Sequence, residues 1–334
     1  MQTTKRIFNI ALVGCGTISY NHLTALNKLD NVNVIAICDI NKEKATKRKA
    51  EFNLSAKVYT DYIEMLDSEK LDAVHIATPH YLHASMTVEA LKRDIYVCLE
   101  KPMCINREEI DMLLKAEKES RASVTVSFQT RYNKANIMAK KIADEDGIIS
   151  ANCALFWERT NEYYTESGWR GMYATEGGGV MINQAIHSID HLISLLGKPL
   201  YVYATKANHK HKGIIEVEDT CEGMVEFEGG KIGNFFATNA FNGCSLTSIF
   251  VKTTNHKLEI RNSLLYVDGR LIEDTEQSSF LGKEVYGDGH LTLISKFYEA
   301  IENGTEMPIT LESAQWALRL LLAAYESNDE KTEI

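Results

Sequence analysis

Proline and paired cysteines are scarce in this chain. Four prolines are spread over 334 residues and no low-complexity stretch occurs, so no proline-rich or glycine/serine-rich spacer divides it and its domains are expected to pack closely. Seven cysteines are scattered, odd in number and without a Cys-x-x-Cys pair. That pattern excludes a disulfide framework and a zinc site, and fits reduced thiols. No metal is called for. No apolar run approaches the roughly twenty residues of a membrane span, and the opening Met-Gln-Thr-Thr-Lys-Arg runs into a strand-like segment rather than a leader. The cytoplasm is the expected compartment. An excess of positive charge is missing too. The formal net charge of -10 argues against non-specific binding to nucleic acid, although a local basic pocket for a small anion is allowed.

What is present is an ordinary globular composition, 45% hydrophobic and 25% charged, on a chain long enough for a large core and two domains. Brief β-rich apolar runs at 7–13, 32–38, 73–77, 95–99 and 123–128 alternate with helix-like segments at about 18–29, 41–51, 61–67, 81–92 and 106–119. Such alternation predicts a doubly wound parallel α/β sheet over residues 1–128. From about 150 the pattern changes. Runs at 152–157, 201–207, 221–226, 231–238, 247–253, 257–261 and 263–267 predict a large, mostly antiparallel open sheet, with one long helix at about 179–196. Helices at about 288–303 and 310–326 close this second, α+β domain (129–334) and are expected to pack back toward the first.

Gly14-x-Gly16-x-x-Ser19 follows the first predicted strand and opens a helix. Glycines there keep the turn tight and let backbone approach a pyrophosphate at the helix N-terminus. Ser19 replaces the third glycine of the dinucleotide pattern, so the match is partial. Asp39 ends the second strand, just over twenty residues on, where a carboxylate accepts hydrogen bonds from ribose hydroxyls and repels a 2′-phosphate. NAD is thereby favoured over NADP; the plainer reading is that Asp39 caps the next helix, and Lys42 and Lys44 stand close by. After the 73–77 run, Thr78-Pro79-His80 lies at a strand's carboxyl end, where such sheets bind ligands. Equally, Pro79 simply starts a helix, with His80 and His83 on its surface or at its cap.

Lys101 closes the 95–99 run, beside Glu100 and Pro102. An ammonium at that edge can hydrogen-bond a substrate oxygen and favour an alkoxide-like transition state, or it can merely pair with Glu100. Further on, three glycines (177–179) open the long predicted helix. On a 100° wheel Asn183, His187, Asp190 and Ser194 form one polar stripe, and Ile182, Ile186, Ile189, Ile193 and Leu196 form another face. Histidine suits a general base near neutral pH; a solvated polar face is the alternative. Upstream, Arg131, Trp157, Arg159, Tyr163, Tyr164, Trp169 and Arg170 suit stacking on sugar rings and bidentate grip of an acidic group, or a set of structural ion pairs and core rings.

Taken together, Gly14-Cys-Gly16, Ala77-Thr-Pro-His80, Glu100-Lys-Pro102, Phe128-Gln-Thr-Arg131-Tyr-Asn133 and the Gly177–Asp190 motif resemble the glucose-fructose oxidoreductase/inositol dehydrogenase (Gfo/Idh/MocA) family over nearly the whole length. The resemblance implies a Rossmann domain followed by an open α/β domain whose sheet builds homodimers or homotetramers. Lys101 and His187 would be the catalytic pair, aided by Asn183, with a cis Lys101–Pro102 bond. The implied cofactor residues are Gly14, Gly16, Thr17, Ile18, Asp39, Thr78, Pro79, His80, His83, Glu100, Lys101 and Gln129. Those implied for a polyhydroxylated, neutral or anionic substrate are Lys101, Arg131, Tyr163, Trp169, Arg170, Asn183 and His187. Two departures stand out. Asn183 occupies a position where many members carry aspartate, and this Asn-Gln version, with Tyr163-Tyr164 and Trp169-Arg170-Gly171, is similar to the branch acting on nucleotide-linked amino-uronic sugars. Asp94 stands where the family often has glycine. The implied reaction is NAD-dependent oxidation of a secondary alcohol of a sugar, cyclitol or nucleotide sugar, with C3 of a pyranose preferred. The rival from another class is an NAD-binding sensor of the same fold without turnover, expected to have lost the lysine or the histidine. Both are present.

Overall fold

The computed structural model describes residues 6–272 and 289–334. The chain divides into two compact units. One comprises the residues up to Cys104 with Glu108–Phe128 and His290–Ser313; the other comprises Ile105–Arg107, Gln129–Gly289 and Ala314–Ile334.

In the first unit, β1 (Phe8–Val13), β2 (Val32–Cys38), β3 (Lys57–Tyr59), β4 (Ala73–Ile76), β5 (Tyr96–Leu99) and β6 (Val124–Val126) form a sheet in the order β3-β2-β1-β4-β5-β6. Every pairing in it is parallel. The order reverses direction between β1 and β4, the switch point where doubly wound sheets bind ligands at the strands' carboxyl ends. Helices α1 (Ser19–Leu26), α2 (Lys42–Glu51), α3 (Tyr62–Ser68), α4 (His83–Leu91) and α5 (Arg107–Glu119) connect the strands. The core joins Phe8, Ile10, Leu12, Leu23 and Ile37 to Ile294, Phe297 and Tyr298 of a later helix, 289–303, with the Phe8 and Tyr298 rings 5.3 Å apart. β3 was not among the expected runs: it has three residues and none is buried. Asp94 holds a left-handed φ of 55° after α4, and its carboxylate accepts hydrogen bonds from Arg121. A short polar side chain tolerates that conformation.

The second unit adds α6 (Lys134–Asp146), β7 (Ile148–Glu158), α7 (Asn161–Thr165), α8 (Tyr173–Glu176), α9 (Ile186–Leu196), β8 (Pro199–Ala207), β9 (Thr220–Phe227), β10 (Ile232–Thr238), β11 (Ala240–Thr253), β12 (Lys257–Arg261), β13 (Leu264–Val267), β14 (Arg270–Leu271) and β15 (Thr332–Glu333). The nine described strands run β14-β13-β12-β11-β7-β10-β9-β8-β15. All are paired antiparallel except β7 with β10. α9 lies against β7 and β10. Two C-terminal helices, α10 (Gly289–Asn303) and α11 (Leu311–Ser327), follow; the expected start of the first at 288 lies outside the described residues.

Six cysteines among the described residues are buried and none is in a disulfide. No described helix is long and apolar enough to cross a membrane.

Candidate active site

The glycine turn is stitched to the end of β2. Gly14 N–H donates to the Cys38 carbonyl at 2.8 Å, and Cys15 N–H donates to Asp39 Oδ2 at 2.8 Å. Asp39 Oδ1 accepts from Asn41 N–H, while the cap of α2 is Asn41, whose side chain accepts from Glu43 and Lys44. The capping role considered for Asp39 therefore belongs to its neighbour. Gly14 has φ of 88°, and a Cβ there would sit 2.5 Å from the Ala77 carbonyl oxygen. At Gly16 nothing lies within 4 Å of such a Cβ. Ser19, in place of the third glycine, is buried, and its hydroxyl donates to the Gly16 carbonyl at 2.6 Å. α2 and α3 carry side-chain caps, yet α1 begins without one. A tight turn, space at Gly16, uncapped amide N–H groups and a carboxylate at the end of β2 fit a dinucleotide.

The neighbouring carboxyl edges are rigidly built. Lys101 follows β5, two strands from the glycine turn, and the Lys101–Pro102 bond is cis. His83 does not face outward from α4 as a surface histidine would. It is fully buried, with Nδ1 2.6 Å from the Pro102 carbonyl and Nε2 2.9 Å from the Thr78 carbonyl. Its ring ties the loop after β4 to the loop after β5. His80 is also buried.

A buried polar chain lies beneath this edge and has no local signature in the sequence. Burial alone would raise the Glu100 carboxyl, but the hydrogen bond with His22 and the nearby His290 ring, 3.8 Å away, hold it well below its ordinary range. An ionised carboxylate only accepts, so His22 donates from Nε2 (2.9 Å). His22 Nδ1 lies 2.8 Å from His75 Nδ1, and His75 Nε2 lies 2.7 Å from the Tyr298 hydroxyl. Burial lowers His75 well below its usual value, in keeping with a neutral ring. The other Glu100 oxygen accepts from the Lys101 backbone N–H at 3.3 Å.

In the second unit, the segment after the three glycines begins as a π-helical turn, Met181–Ala185, and becomes α-helical at Ile186. The aliphatic stripe is buried as expected. The polar stripe is not a solvated face: Asn183 and His187 are half-buried and Asp190 is 1% exposed. Arg131 holds Asp190 through Nε at 2.7 Å and Nη2 at 2.5 Å. The fork expected to grip a substrate's acidic group thus grips a helix carboxylate. His187 Nδ1 lies 3.5 Å from Thr130 Oγ1. Gln129, expected at the cofactor, is buried at the start of a short 3-10 turn in this unit.

The glycines do allow close approach, but to protein. A Cβ at Gly178 would meet the Tyr325 hydroxyl, and one at Gly179 would come within 1.8 Å of the Glu218 carbonyl oxygen. The Glu218 carboxylate accepts from Gly179 N–H, Met181 N–H and the Tyr325 hydroxyl, so it caps this helix start from within the core. Neither Glu218 nor Glu176 was singled out from the sequence.

The aromatic–arginine cluster is real. The Arg159 guanidinium lies 4.9 Å from the Trp157 ring and 4.8 Å from that of Tyr163, and Arg170 lies 4.4 Å from Tyr163 and 4.7 Å from Trp169. Half-buried rings and cations interleaved in this way suit a sugar face beside an acidic group.

Residues 8–128 match an oxidoreductase family with an NAD-binding Rossmann fold, and residues 146–334 match that family's C-terminal alpha/beta domain. Inositol 2-dehydrogenase of Salmonella typhimurium is 32% identical over 139 residues, a stretch spanning only 41% of this chain and 41% of that protein. The myo-inositol 2-dehydrogenase of Thermotoga maritima is 22% identical over 97% of each chain. Among solved structures, the WlbA dehydrogenase from Bordetella pertussis in complex with NADH and UDP-GlcNAcA is 26% identical. It superposes over 99% of both chains with a TM-score of 0.89. With both of its halves matched, the chain belongs to the Gfo/Idh/MocA oxidoreductase family.

Proposed function

We propose that this protein is an NAD-dependent dehydrogenase of a secondary alcohol on a sugar, cyclitol or nucleotide sugar. The observation that carries the reading is Lys101 at the carboxyl edge of the parallel sheet, two strands from an open glycine turn and directly after the ionised Glu100. Bound NAD would accept the hydride. Gly14, Gly16, Thr17 and Ile18 would meet its pyrophosphate, Asp39 its adenosine ribose, and Thr78, Pro79 and His80 its other half. In the oxidative direction His187 takes the hydroxyl proton, at Nε2 because Nδ1 faces Thr130. The Lys101 ammonium donates to the same oxygen as it gains negative charge. Tyr163, Trp169 and Arg170 hold the substrate, and Asn183 accepts from one of its hydroxyls. The UDP-GlcNAcA in the Bordetella complex supports a nucleotide sugar, and the inositol dehydrogenases support a cyclitol. Assembly into dimers or tetramers through the nine-stranded sheet, in the cytoplasm, completes the reading. Exposed Ile149, Phe241 and Phe250 support the assembly.

The test is nicotinamide absorbance on mixing the protein with NAD or NADP and a panel of cyclitols, free sugars and nucleotide sugars. Reduction of NAD by one class is expected. NADP reduction alone would contradict the role given to Asp39.

The two glycines of the turn are expected to separate folding from binding. Gly14→Ala strains a left-handed residue against backbone and should cost about 1–3 kcal/mol of stability, read from thermal denaturation. Gly16→Ala has room and should melt like the wild type while losing NAD affinity in calorimetry. Unchanged NAD affinity in Gly16→Ala would remove the turn from the binding site.

A further inference from the structure

In the turn after β1, the Gly16 carbonyl is the wrong group to face a pyrophosphate. No atom stands within 4 Å of where a Gly16 Cβ would be, so packing on that side does not hold the backbone. Glycine leaves the Gly16–Thr17 peptide free to turn over, which would exchange an N–H facing the ligand for an oxygen that repels it. Two hydrogen bonds set the choice. The Ser19 hydroxyl donates to the Gly16 carbonyl at 2.6 Å, and Arg48 Nη2, 32 residues along the chain, donates to the same oxygen at 3.1 Å. A carbonyl oxygen has two lone pairs, and both are thereby taken. In a trans peptide the N–H points opposite the C=O, and the cis bond among the described residues is elsewhere, at Lys101–Pro102. The Thr17 N–H is therefore aimed away from Arg48. The Thr17 and Ile18 N–H groups have no partner among the described residues.

Arg48 is itself held. It sits in the last turn of α2 with its side chain 16% exposed, and Nη1 donates to Glu51 Oε2 at 2.7 Å. Its guanidinium lies 5.6 Å from the Tyr20 ring of α1. The charge is felt at the turn: burial pushes the Cys15 thiol up to about 12 and Asp39 adds to the rise, while Arg48 acts against it.

We propose that Arg48 is a positioning residue for the dinucleotide: with Ser19 it saturates the Gly16 carbonyl and turns it from the cofactor, so that the Thr17 N–H meets the pyrophosphate. This rests on the dehydrogenase reading for the identity of the ligand, but not for the pin itself. It also gives Ser19, the departure from the glycine pattern, a task that a third glycine could not perform, since glycine has no hydroxyl to donate.

The experiment titrates the wild type, Arg48→Ala and Arg48→Lys by calorimetry with NAD and with ADP-ribose, which carries the pyrophosphate but no nicotinamide. The Thr17 backbone amide is followed by NMR at saturation. Arg48→Ala should melt within a few degrees of the wild type and bind both ligands about tenfold more weakly, the loss of one charge-assisted hydrogen bond. Arg48→Lys, whose ammonium can still donate to a carbonyl, should bind more tightly than Arg48→Ala. In the wild type the Thr17 amide proton should move downfield when either ligand binds, and in Arg48→Ala it should move less even at saturation. Unchanged affinity in Arg48→Ala would overturn the proposal. So would weakened affinity with the full Thr17 shift, because Arg48 would then be touching the ligand directly. If Arg48→Ala fails to fold, Arg48→Gln takes its place in the same comparison. A wild type that binds both ligands yet oxidises no polyol would strike the dehydrogenase reading alone; one that binds neither would overturn both.

Discussion

Replacing Lys101 or His187 with alanine should each cut turnover by about 10²–10⁴-fold, with folding retained and NAD affinity kept within an order of magnitude. At Lys101 the backbone is held by neighbours that the substitution leaves in place. Glu100 still accepts its backbone N–H, and His83 still faces the Pro102 carbonyl. What disappears is the ammonium that stabilises charge growing on the substrate oxygen. His187 lies near the start of α9, where alanine is a good helix former, and its flanking residues Ile186 and Ser188 remain buried. Steady-state kinetics paired with NAD calorimetry separates chemistry from cofactor binding. Turnover like the wild type's in either variant would remove that residue from proton handling. Equal loss of NAD affinity and turnover would mark Lys101 as a cofactor ligand only.

The second large effect falls on folding. Gly179→Ala would bring a Cβ within 1.8 Å of the Glu218 carbonyl oxygen, a backbone atom that cannot swing aside. The same residue's N–H and the following Met181 N–H are donors to the buried Glu218 carboxylate. Moving the glycine away would strip that carboxylate of partners, and an unsatisfied buried charge is costly. A loss above about 4 kcal/mol is expected, seen as insoluble protein or a collapsed melting transition. Gly16→Ala, which has open space, serves as the control. A soluble Gly179→Ala protein with an unchanged melting point would show that the contact yields cheaply.

Much of the Rossmann half was legible because its strands carry apolar runs buried on both faces, as Ile10–Val13 is. The glycine turn, Asp39 and Lys101 could be found from their order alone. The sequence was silent wherever packing relies on small residues. Helix α6 buries Ala135, Asn136, Ala139 and Ala143 while Ile137 is exposed, so its apolar period is faint. The start of β11 at Ala240 was hidden by an irregular register between Ala240 and Ser245 that contains Gly243. The 100° wheel separated the buried aliphatic stripe from the polar one on the helix carrying His187. It could not reveal that a π-turn opens that helix, or that Arg131 buries Asp190. Glu176 beside three glycines carries no signal of its own in the sequence, and its burial against Gly171 and Asn183 emerges only in the fold. The chain from Tyr298 through His75 and His22 to Glu100 joins residues up to 223 positions apart, which no local pattern can announce.

The most direct measurement follows the carbon-bound hydrogen. A sugar, cyclitol or nucleotide sugar active in the absorbance panel is prepared with deuterium on its secondary alcohol carbons and incubated with the protein and NAD, and the reduced cofactor is analysed by mass. Reduced nicotinamide carrying one deuterium from the substrate, formed more slowly than with the unlabelled compound, is the expected result. Unlabelled reduced cofactor, or no reduction from any member of the panel while NAD stays bound, would contradict direct hydride transfer by this protein.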